Sequence, residues 1–93
     1  MAKRFDPAKD AANRAKHGLP LSFGDEVFAD DSLVVIPSIR PIDGEERFKE
    51  IGMVGGKLYT AVYVWRDGVP RFISVRRSNH GEERAYRSAG GPG

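Results

Sequence analysis

Four short strand-like segments, separated by turn-forming residues, leave this chain little choice of architecture. LVVIP (33–37), ERFKEIGMV (46–54), LYTAVYVW (58–65) and RFISVRR (71–77) have the length and the β-branched or aromatic content of strands. Between them stand RPIDG, GGK and RDGVP, whose glycines, prolines and aspartates suit connections of hairpin length. Four antiparallel strands are therefore expected. In 93 residues they must share one modest core with whatever precedes and follows them.

Two helices are expected ahead of the strands. Asp6 and Pro7 start the first, because Asp accepts hydrogen bonds from free amides and Pro at the first helical position loses nothing by lacking its own. Gly18 stops it, with Lys16 and His17 favourably placed near its negative end. Ala8, Ala11, Ala12 and Ala15 form a narrow stripe of small residues, which predicts a short helix packed closely through that face. In LSFGDEVFADD (21–31), Ser22 and Asp25 have capping-box spacing, and Phe23, Val27 and Phe28 supply an apolar face. A last helix is expected over 79–88 with Ser78 or Asn79 as its cap, Gly81 weighing against it. The expected fold is α+β: two N-terminal helices packed on a four-stranded antiparallel sheet, then a short C-terminal helix. It forms a single domain over 1–88, and the end of SAGGPG, from 89 to 93, is expected to be a disordered tail.

Charge matters through its distribution. The formal net charge is only +2, from 15 Lys and Arg against 13 Asp and Glu. Arginine nonetheless gathers late in the chain, at Arg66, Arg71, Arg76, Arg77, Arg84 and Arg87, while acids cluster at Asp25, Glu26, Asp30 and Asp31 and again at Asp43, Glu45, Glu46 and Glu50. The lack of cysteine removes disulfides, thiolate metal sites and a cysteine nucleophile together. MAKRFDPAKD has a basic start without the apolar stretch of a secretory signal, and LYTAVYVW is too short to span a bilayer as a helix. A cytoplasmic protein without a membrane partner is expected. No three His, Asp or Glu residues have metal-ligand spacing, so neither a metal nor another cofactor is expected.

Strict alternation along 71–77 would set Ile73, Val75 and Arg77 on one face and Phe72, Ser74 and Arg76 on the other. The face of Ile73 and Val75 is expected under the helices, leaving Arg76 on the open face beside a stacking surface of Tyr59, Tyr63, Trp65 and Phe72. A plainer reading stands next to it: strand-end arginines are commonly solvated or paired, and aromatics in a central strand commonly belong to the core.

Four blocks, FDPAKDAANRAKHGL (5–19), LSFGDEVFADD (21–31), DGEERFKEIG (43–52) and RFISVRRSNHGEERAY (71–86), give the chain a resemblance over nearly its whole length. In order and spacing it resembles BrnT, the toxin family of BrnT–BrnA toxin–antitoxin systems. The resemblance implies a RelE-like fold and a ribonuclease that arrests translation by cutting RNA. It also implies a BrnA-type antitoxin partner, through which the complex binds operator DNA and represses its own operon. Residue by residue, the GExR element falls on Glu45 and Arg47, KHG on Lys16, His17 and Gly18, the arginine pair on Arg76 and Arg77, and the C-terminal element on Glu82 and Tyr86. The implied catalytic set is Arg66, Arg76, Arg77, Glu45 and His17, and the implied RNA-binding set is Arg47, Arg76, Arg77, Arg84 and Tyr86. Two positions depart from the pattern: Val64 stands where a hydroxyl is expected before Arg66, and Glu83 where a base is common.

Metal-independent RNA cleavage needs a base for the 2′-hydroxyl proton, an acid for the leaving 5′-oxygen, and cations for the charge that builds on phosphorus. Arginine suits the third role, since its planar guanidinium stays charged and contacts two phosphate oxygens. Histidine is the natural proton carrier near neutrality, which points to His17 and His80, yet His17 also suits a helix-capping role and Glu45 also suits a salt bridge that orients Arg47. Two function classes remain open on these residues: a ribonuclease, and a non-catalytic nucleic-acid- or partner-binding module that contributes to repression.

Overall fold

The computed structural model describes residues 6–39 and 46–89. In chain order it contains α1 (Pro7–His17), α2 (Phe23–Phe28), β1 (Val34–Ile39), β2 (Glu46–Val54), β3 (Lys57–Arg66), β4 (Val69–Arg77) and α3 (His80–Ala89). The strands form one antiparallel sheet in the order β1-β2-β3-β4, so the α+β expectation holds. The connection expected at RPIDG (40–44) and the last four residues of the expected tail, 90–93, lie outside the described residues; Ala89 closes α3. Both described hairpins turn on two residues with positive φ, Gly55-Gly56 and Asp67-Gly68, a geometry that matches the twist of the strands they join.

Strict alternation fails on β4. Tyr63 pairs with Phe72 and Val62 with Ser74, so Ile73 is an extra residue opposite a register shift at Val62/Tyr63. The chain on either side of Ile73 is therefore out of phase, and Phe72 and Val75 both turn inward although three positions separate them. This corrects the expected pairing of Ile73 with Val75. Phe72, Val75, Tyr63, Ala61 and Leu21 form the buried core, with Leu19, Phe23, Phe28 and Phe48 packed against it. The ring of Phe28 lies 5.2 Å from that of Tyr63 and 5.9 Å from that of Phe72. The expected stacking surface is consequently interior: Tyr63 and Phe72 are buried, Tyr59 packs edge-on to Phe23 at 4.8 Å, and only Trp65, 52% exposed, faces solvent.

Helix α2 reaches the sheet because two residues there carry no side chain. A Cβ on Gly24 would lie 2.5 Å from the Phe72 ring, and one on Gly52 would lie 2.5 Å from the Val27 carbonyl oxygen. The capping box expected at the start of α2 does not form. Ser22 already has helical backbone angles, φ −61° and ψ −18°, and makes no side-chain cap bond. The box sits instead at α3, where Asn79 Oδ1 accepts from the Glu82 N–H and Glu82 Oε1 accepts from the Asn79 N–H, both at 2.9 Å.

Helix α1 begins as expected: the Asp6 carboxylate accepts from the Ala8 N–H at 2.8 Å, Pro7 follows, and Gly18 closes the helix in the left-handed region. Its attachment is not as expected, because all four alanines of the small-residue stripe are exposed. Polar side chains hold it. Buried Asn13 accepts from the Val75 N–H at 3.0 Å and donates to the Val75 carbonyl at 2.9 Å and the Leu19 carbonyl at 2.8 Å. It thus pairs with the outer edge of β4 much as another strand would. Asp10 adds a 2.7 Å bond from the Leu21 N–H. Asn13→Ala leaves two buried backbone groups of Val75 unpaired and is expected to lower stability by about 1–3 kcal/mol in urea denaturation. Exposed Ala11→Ser should stay within about 0.5 kcal/mol of the parent protein.

Candidate nucleic-acid interface

The Asp67-Gly68 turn brings the end of β3 and the start of β4 together, with Arg66 opposite Val69 and Val64 opposite Arg71. On β2, Arg47 precedes Phe48, which pairs with Tyr63. These registers place Arg47, Val64, Arg66 and Arg71 on one sheet face, opposite the face that packs on α2. Lys9 of α1 closes the group. Lys9, Arg47, Arg66 and Arg71 line one cavity of about 270 Å³, floored by Val64 and Ile73. Beside it, between α1 and β4, a second cavity of about 210 Å³ is lined by Lys9, Lys16, His17, Ile73 and Ser74. Among the described residues neither cavity is lined by a carboxylate. Partial burial, then the positive charges of Lys16 and Arg76, hold the His17 pKa below its ordinary value.

The residues singled out in the sequence separate into several places. Arg66 and Arg47 meet in the first cavity, and His17 lines the second. Arg76 is engaged elsewhere. Its guanidinium donates through Nη1 to Glu82 Oε1 at 2.8 Å and through Nη2 to Glu82 Oε2 at 2.7 Å. Buried Glu82 also accepts from the Thr60 hydroxyl at 2.9 Å and lies 3.5 Å from Lys49 Nζ. Burial pushes the Glu82 pKa up, but the bonds from Arg76, the Asn79 amide and Thr60 outweigh it and bring the value down to about 2. Arg77 points to the opposite face, 5.4 Å from the centre of the Tyr59 ring. Arg84 is exposed on α3, and the Tyr86 hydroxyl donates to Asp30 Oδ2 at 2.6 Å, tying α3 to the end of α2. Glu45 lies outside the described residues.

Sequence reasoning missed Lys9 and Arg71. Lys9 reads as part of a solvated helix face, and strict alternation assigns Arg71 to the core side. It also missed Glu50, which is wholly buried with neither carboxylate oxygen hydrogen-bonded among the described residues. Burial, reinforced by the negative charge of Asp25, pushes its pKa up to about 9, so Glu50 carries a proton at neutral pH.

The family model of BrnT, the ribonuclease toxin of type II toxin–antitoxin systems, matches residues 5–82. The chain belongs to the BrnT family. Membership makes it a ribonuclease toxin with an antitoxin partner, and every cation lining the two cavities of this BrnT-family chain lies within the matched residues. A search of the curated proteins returned no match. Among the described residues no helix is long and apolar enough to cross a membrane.

Glu82 and Glu50 give the BrnT fold opposite responses to pH. The Glu82 value falls from 4.5 to about 2 on folding, so its contribution is complete above about pH 4.5 and disappears as pH falls toward 2. That contribution is about 3 kcal/mol. Glu50 rises from 4.5 to about 9, so its neutral form stabilises the fold fully below pH 4.5, and this is lost as pH climbs to 9. The loss approaches about 1.4 kcal/mol per pH unit. Stability from these two groups therefore peaks near pH 4.5. Glu50→Gln should remove the decline between pH 4.5 and 9 and raise stability at the alkaline end, as read from urea midpoints across that range.

Proposed function

We propose that this chain is a metal-independent endoribonuclease whose scissile phosphate is held by Arg47, Arg66, Arg71 and Lys9. The observation that supports this reading is the convergence of four cations from four separate elements on one cavity. Charge accumulates on the phosphate oxygens as the transition state forms, so guanidinium contacts fixed by the sheet strengthen along the reaction. The 2′-oxygen bonds to phosphorus while the bond from phosphorus to the 5′-oxygen breaks. A base takes the 2′-hydroxyl proton and an acid protonates the leaving oxygen, giving a 2′,3′-cyclic phosphate and a free 5′-hydroxyl.

Glu45, two positions before Arg47, and His17, in the adjoining cavity, are the proton carriers this reading assigns. Arg76 then serves as a structural pin through Glu82, and Arg77, with Arg84 and Tyr86, stands apart from the scissile phosphate. RNA cutting arrests translation in the cytoplasm. A BrnA-type antitoxin neutralises the toxin by covering the cationic cavity, and the complex reaches operator DNA through the antitoxin.

Purified protein incubated with end-labelled RNA in EDTA tests the reading. The parent should produce cyclic-phosphate ends, Arg66→Ala and Arg71→Ala should each lose about 10²–10³-fold in rate, and Arg77→Ala should stay within a few-fold. Undiminished cleavage by both cavity variants would move the site elsewhere. No cleavage by the folded parent would favour cutting that depends on the ribosome, or the non-catalytic, repression-contributing module.

A further inference from the structure

A single scissile phosphate gives His17 a role in the second cavity but leaves Lys16 there without one. We infer that the pocket between α1 and β4 is a second phosphate subsite, so that both cavities, joined at Lys9, hold consecutive phosphates of one RNA strand. The inference rests on the reading of the first cavity as the scissile-phosphate site.

Continuity is the first argument. Lys9 and Ile73 line both cavities, so a strand leaving the arginine cavity passes Lys9 directly into the other. Charge is the second. Lys9 and Lys16 stand seven residues apart on α1, on the same side of the helix and about 10 Å apart along its axis, which leaves room for more than one phosphate. Asp10, the acid between them, is taken up by Arg14 Nε at 3.1 Å and by the Leu21 N–H. The third argument is the lining. The Asn13 amide is committed to Val75 and Leu19, whereas the half-buried Ser74 faces the cavity beside His17. The His17 pKa is held below its ordinary value first by partial burial and then by the positive charges of Lys16 and Arg76. Lys16 also offsets the negative end of α1, and a purely local role of that kind is the alternative the test must separate.

The discriminating experiment compares two ligands that the protein cannot cut, a uridine 3′-monophosphate and a 2′-O-methyl hexanucleotide, by calorimetry over a range of salt. Lys16→Ala should leave mononucleotide affinity unchanged, weaken hexanucleotide binding several-fold and reduce its salt slope by about 0.7, the value for one phosphate contact on a single strand. Lys9→Ala should weaken both ligands, and exposed Lys57→Ala, at the remote β2–β3 hairpin, should weaken neither. Parent-like hexanucleotide affinity and slope in Lys16→Ala would overturn the subsite, as would equal weakening of both ligands or no hexanucleotide binding by the parent. Catalysis is judged separately on natural RNA. The two-ligand pattern without cleavage would retire the reading of metal-independent cleavage of free RNA and keep the subsite, and cleavage without a Lys16 effect would do the reverse.

Discussion

At Ile73 the outer strand carries one residue more than its partner, and the chain on either side of it is out of phase with the other. Phe72 drops under α2, against Gly24, and completes the aromatic core with Phe28 and Tyr63. The same half-turn carries Arg71 to the opposite face, beside Arg47 and Arg66. Were β4 regular, Arg71 would share the face of Val75 and Phe72 would leave it. Core and cationic cavity therefore depend on one bulge, a device that commonly re-aims a side chain near a functional site.

Around that sheet α2 is seated by apolar packing, whereas the first and last helices are fastened largely by polar groups. Asn13 closes the edge of β4, Asp10 fixes the chain entering α2, and Glu82 gathers Arg76, Thr60 and the Asn79 amide beneath α3. A small domain has little apolar area to spend on three helices, and buried, fully bonded side chains of this kind specify orientation where packing alone would not. Glu50 is the exception. It is buried without hydrogen bonds among the described residues and remains tolerable near neutrality because it keeps its proton.

Much of the fold was legible because its signals were local. Turn residues marked the hairpins, and Asp6-Pro7 and Gly18 marked both ends of α1. What escaped depended on contacts distant in sequence. The exposed alanines of α1 could not be distinguished from a packing stripe without knowing that Asn13 reaches Val75. Ser22 and Asn79 both head a capping-box spacing, and only the backbone angles at Ser22 decide between them. The candidate site was half legible: Arg47 and Arg66 were found and the adjacent pair Arg76 and Arg77 diverges to opposite faces as alternation predicts, whereas Arg71 was hidden by the bulge. Glu82, matched to the family's C-terminal element, emerges as the ion-pair partner of Arg76.

Direct observation of the arginine side chains is the most decisive measurement of where RNA phosphate binds. In a nitrogen-15 NMR titration with a 2′-O-methyl strand, the account predicts that the Nε–H signals of Arg47, Arg66 and Arg71 shift together and saturate with the ligand, while that of Arg77 stays in place. Shifts confined to Arg77, with the three cavity arginines unmoved, would contradict it and place the RNA on the opposite face of the sheet.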